Sequence, residues 1–123
     1  MNATQLAQSA YAPASPASQG PRDAEYKAFA RVTAALSAAR GGPMQPMAQA
    51  LHDNVRLWAT LAADVASPQN ALPAPLKAQI INLAAFASVH AGRVLSGSDD
   101  VDALIDVNTA IMRGLRPSQT GAP

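Results

Sequence analysis

The stretch from Ala50 to Val65, ALHDNVRLWATLAADV, restricts the possible folds of this chain more than any other. At about 100° per residue, Met47, Leu51, Val55, Trp58, Leu61, Ala62 and Val65 fall on one arc. Gln49, Asp53, Arg56, Thr60 and Asp64 fall opposite. That division specifies a helix with one face buried and the other in water. Trp58, the only tryptophan, sits centrally in the buried arc and is the expected core anchor, because one indole supplies more contact than several alanines. Asn54 interrupts the same arc, and its amide must find partners there or cost about 1–3 kcal/mol unsatisfied.

The rest of the chain carries the same signal. Pro21 suits the first turn of a helix whose early acids, Asp23 and Glu25, complement its dipole. Tyr26, Phe29, Val32, Thr33 and Leu36 form its stripe, and Arg40 with Gly41-Gly42 ends it. Pro43 and Pro46 frame the start of the Trp58 helix, which Ser67-Pro68 stops. Pro73 and Pro75 open a further helix reaching about Leu95, with Leu76, Ile80, Leu83, Ala87, His90 and Val94 as its stripe. A last helix starts at Ser98, an apt N-cap, and runs through Val101, Leu104, Ile105, Asn108, Ile111, Met112 and Leu115 to Arg113 and Arg116.

These elements predict an all-α fold, an antiparallel bundle of four main helices plus a short N-terminal helix. Residues 1–11 form the short helix, 12–20 a Pro/Ala/Ser linker, 21–116 the bundle and 117–123 a loose tail. The core is thin: 29 residues are alanine, and Leu, Val and Ile together number 22. Alanine compensates in part through its helix propensity and by letting helices approach closely.

Chemistry is scarce. With no cysteine, disulfides, thiolate catalysis and sulfur-rich zinc sites are excluded. Glu25 is the only glutamate, so no Glu-x-x-His metal pattern exists, and His52 and His90 lie on different helices. Gly41-Gly42 is a helix stop rather than a phosphate loop, and no cofactor is expected. Net charge is +1. Lys27 with Arg31 and Arg113 with Arg116 read as solvated faces, not as a stripe tracking nucleic acid. No signal peptide is expected, and no apolar run approaches the ~20 residues that span a bilayer. The expectation is a soluble, non-enzymatic cytoplasmic protein.

Two groups of residues stand out. Asn54, His90 and Asn108 lie on apolar stripes and are expected to meet in a buried polar network fixing helix register. A general base built on His90 would need a serine, threonine or carboxylate poised beside it, and the sequence places none there. Ile81, Val89 and Leu95 stand off the main stripe of their helix. That helix is therefore central in the bundle or shows a second surface, covered by the N-terminal segment or by an amphipathic helix of a partner.

The ordered series Ala50-Leu51, Asn54, Leu57-Trp58, Leu61 and Asp64, then Pro68, Asn70 and Leu72-Pro73, resembles the FlaF family of flagellar biosynthesis regulators. Ile80, Leu83-Ala84, Phe86, His90 and Val94-Leu95 continue the likeness. Leu104-Ile105, Asn108, Ile111-Met112 and Gly114-Leu115 close it. Nearer the start, Gln5-Leu6-Ala7, Tyr11, Glu25-Tyr26, Phe29 and Arg31-Val32-Thr33 fit as well. The resemblance implies a cytoplasmic protein that binds flagellin, through its helical terminal segments, as an export chaperone. It further implies work alongside the regulator FlbT, with action on flagellin messenger RNA, direct or through FlbT, as the alternative. It names no catalytic residue.

Overall fold

The computed structural model describes residues 16–115, with side chains over residues 24–114. Among them are four helices: α1 (Pro16–Ala39), α2 (Met44–Ala66), α3 (Ala74–Leu95) and α4 (Asp102–Leu115). The all-α reading holds. The expected N-terminal helix, the first part of the linker, Arg116 and the tail lie outside the described residues. Helix α1 begins at Pro16, earlier than the expected start near Pro21, so residues 16–20 are helix rather than linker. Pro16 suits that first turn, where its missing N–H forgoes no hydrogen bond, whereas Pro21 falls in the second turn and takes one bond out of the ladder.

Each turn has a local cause. Gly41 takes φ 73° and Gly97 takes φ 80°, the left-handed conformation that closes α1 and α3 at little steric cost. Between α2 and α3, the Asn70 side chain accepts the Leu72 N–H at 3.0 Å and shapes a turn that sinks Leu72 into the core. Helix α4 starts at Asp102, not at Ser98. Ser98 and Asp99 both donate backbone N–H to the Arg93 carbonyl, which keeps them wound against the end of α3. Asp100 does the capping instead, its Oδ1 accepting the Asp102 N–H at 2.9 Å.

Short turns make successive helices antiparallel, but the packing is uneven. Among the described helices, α1 packs closely on α2 and on α4, whereas α3 packs closely on α2 alone. The sequence leaves α3 either central or two-faced; it is peripheral and two-faced. The core lies between α1, α2 and α4, where Trp58, Phe29, Leu36, Leu51 and Leu104 are fully buried. Phe29 meets Trp58 edge to face, with centroids 5.3 Å apart and planes at 79°, an arrangement that aligns ring edge with ring face. From α3, Ile80, Ala87, Ala91 and Val94 add a thinner apolar layer.

Trp58→Ala removes the largest buried side chain and its contact with Phe29. It is expected to cost roughly 3–5 kcal/mol, as for other large core truncations. Urea unfolding followed by circular dichroism measures this, and a near-wild-type midpoint would show that the core does not rest on Trp58.

Candidate functional sites: a buried polar centre and an exposed strip on α3

The indole N–H of Trp58 can only donate. It donates to Asn108 Oδ1 at 2.8 Å, which fixes the Asn108 amide with its nitrogen turned away. That nitrogen donates to Asn54 Oδ1 at 2.7 Å and to Thr33 Oγ1 at 3.1 Å. One donor-only group thus sets the polarity of a network joining α1, α2 and α4. Asn54, Asn108 and Trp58 are wholly buried, so each bond is made away from water. Asn54 Nδ2 is left buried without a partner, the one unmet demand of the arrangement.

The expected trio is therefore corrected. Asn54 and Asn108 meet, but His90 does not join them. Its Nε2 lies 2.8 Å from the Asp100 carbonyl, which can only accept, so this nitrogen carries the proton. Its ring stacks on Phe86 with centroids 5.2 Å apart. His90 ties α3 to the loop before α4 and holds no catalytic arrangement. Thr33, read above as part of an apolar stripe, is the member the sequence reading missed.

A second buried polar group is Glu25 on α1. It is 6% exposed, and its Oε2 has no hydrogen-bond partner among the described residues. Burial, reinforced by the charge of Asp64, pushes its carboxyl up to about 7. At the other end of α3, the Arg93 guanidinium donates to Asp99 and holds that exposed carboxyl below its usual range. A cavity of about 190 Å³ beside the α1–α2 turn is lined by Ala39, Met44, Met47, Val94 and Val101, with Arg40 and Asp100. Its polar groups already serve the fold, since Arg40 pairs with Asp102 at 2.8 Å and Asp100 caps α4. Among the described residues no three of His, Asp and Glu gather where they could hold a metal ion.

The expected partner-binding residues are on the surface: Val89 is 67%, Leu95 45% and Ile81 40% exposed. They do not form one patch. On the wheel, Ile81, Ala85 and Val89 follow one another at four-residue spacing along one strip, with Phe86 at its edge. Leu95 lies about 120° round the helix from Val89 and belongs to the end of α3. The strip is also uncharged. Residues 78–92 hold no Asp, Glu, Lys or Arg between Lys77 and Arg93. A solvated helix face of a small domain is ordinarily its charged one.

Compared with known protein families, residues 7–115 match a model described as flagellar protein FlaF. No curated protein and no solved structure matches the chain.

The position of Glu25 has a consequence for stability. Between pH 4.5 and about 7 the folded chain holds a proton that the unfolded chain releases. Stability therefore falls as pH rises through that window and levels off above it, by about 3 kcal/mol at most. Urea unfolding from pH 5 to pH 8, well above the range in which Asp99 titrates, should show the decline. Glu25→Gln should flatten it, and an equal slope in both proteins would assign the decline to another group.

Proposed function

This chain belongs to the FlaF family of flagellar proteins, and from that membership and the α3 strip we propose that it binds flagellin as an export chaperone. Regulation of flagellin production and filament assembly follows from that binding, with FlbT as a collaborating regulator. The observation that carries the reading is the uncharged, solvent-facing strip Ile81–Ala85–Val89 on a helix that packs closely on α2 alone. An amphipathic helix needs an apolar surface to cover it before assembly, and a helix lying along another helix is a common way to supply one. The helical terminal segments of unassembled flagellin are such helices. Leu95 stands apart from the strip and extends the surface only at the end of α3.

The role is binding rather than catalysis, and its place is the cytoplasm. Among the described residues no helix is long and apolar enough to cross a membrane. The balance of nine basic and eight acidic residues favours a polypeptide partner over direct contact with flagellin messenger RNA.

Titration calorimetry of purified flagellin against the wild type, Ile81→Asp and Val89→Asp tests the reading. Each variant forces a carboxylate into the contact and should weaken binding at least tenfold, about 1.4 kcal/mol. Both changes lie on an exposed face, so the variants should unfold close to the wild-type midpoint. Unchanged affinity in folded variants would remove the strip from the interface. Binding to leader RNA that weakens steeply with salt would favour the message instead.

A further inference from the structure

We propose that a second copy of this chain docks on the Ile81–Ala85–Val89 strip, α3 lying antiparallel on α3 about a two-fold axis at Ala85. The pairing stands on the strip and on the charges at its two ends. Only its competition with flagellin rests on the chaperone reading above.

A two-fold interface brings one surface against itself, so a charge at its centre would meet its own like. The strip avoids this, since residues 78–92 carry no charge. It is also balanced about Ala85, with Ile81 four residues before it and Val89 four after. In an antiparallel pair, Ile81 of one copy and Val89 of the other therefore come to the same height along the helices. Alanine at the crossing permits the short end of the usual 8–10 Å interaxial distance, with four-residue ridges of the two helices interleaved.

The charges at the ends select this occupant and its direction. No acid occurs between Asp64 and Asp99, so Lys77 is the one charged residue near the start of α3. The first turn there has no acid and no side-chain cap, and the helix dipole adds to the positive character. At the far end Asp99, Asp100 and Asp102 outnumber Arg93 and Arg40, which pair with Asp99 and Asp102 and leave one negative charge over. An antiparallel copy sets a positive end against a negative one twice, whereas a parallel copy sets like against like.

Size fixes the strength. A helix face about 12 Å long covers far less than the roughly 800 Å² per partner of a standard stable interface. The pair therefore forms at high protein concentration and yields to a tighter ligand on the same strip.

Sedimentation velocity of the full chain, from about 10 to 500 µM to span such a weak association, should show a reversible dimer. Ile81→Asp and Val89→Asp should each raise its dissociation constant at least tenfold. Lys77→Glu should raise it about three- to tenfold at low salt and less at high salt. The absence of cysteine allows a second measurement. Under mild oxidation Ala85→Cys should give disulfide-linked dimers at least tenfold faster than Ala59→Cys on the exposed face of α2. A chain that stays monomeric, with equal rates for the two cysteine variants, would overturn the dimer. A dimer indifferent to Ile81→Asp and Val89→Asp would overturn the strip as its interface, and one strengthened by Lys77→Glu would overturn the antiparallel arrangement. Added flagellin should dissociate the pair; flagellin bound to an intact dimer would overturn the competition. A strip-dependent dimer with no flagellin bound by any form would sustain the pairing and reject the chaperone reading.

Discussion

The bond from the Trp58 indole to Asn108 is the constraint on which the other buried contacts depend. Because the indole has no acceptor, Asn108 must present oxygen to it, and its nitrogen is then committed to Asn54 and Thr33. Rotating either helix by one residue would break more than one of these bonds at once. A core with 29 alanines and few bulky side chains has many nearly equivalent packings. The polar centre discriminates among them, since the register of α1, α2 and α4 must bring a donor-only ring, two amide oxygens, the Asn108 nitrogen and a hydroxyl within bonding distance together. Its energetic contribution is modest beside the burial of Trp58, Phe29 and Leu36, but those apolar contacts specify register less sharply.

Helix α3 lies outside that centre. It is held by apolar contact with α2 and, at its end, by the His90 bond to the Asp100 carbonyl and the wrapping of residues 98–99 onto Arg93. These ties act on one side and one end, so much of its circumference stays in solvent. A helix fastened this way can receive another helix without disturbing the register of the other three. The proposed binding role and the fold thus make separate demands on separate helices.

Much of the architecture is legible in the sequence because its signals are local. Prolines and glycines mark the turns, and the arc around Trp58 identifies the buried face of α2 without reference to any other helix. What escapes is whatever depends on a partner far along the chain. His90 and Asn108 look alike on their stripes, and nothing nearby tells that one faces a loop carbonyl and the other a tryptophan fifty residues away. Ser98 is a good cap by composition, but the Arg93 carbonyl claims its backbone first. Thr33 passes for an apolar residue because its methyl suits the stripe. Glu25 was readable: it precedes Phe29 by four residues and Val32 by seven, which puts it on the buried arc and not only in the first turn.

The exposed strip on α3 poses a different question from the core. At Trp58 or Leu104 an apolar side chain is required by the fold, since each is sealed from water. At Ile81 and Val89 the fold makes no such demand: a lysine or glutamate there would reach solvent, favour helix more strongly than a β-branched residue, and discourage association. Local stability and solubility both argue for charge at these positions, yet residues 78–92 have none. That combination is the physical ground for the proposed binding role. Ile81, Ala85 and Val89 share one side of the helix, so the strip runs along the α3 axis for about 12 Å without a charge.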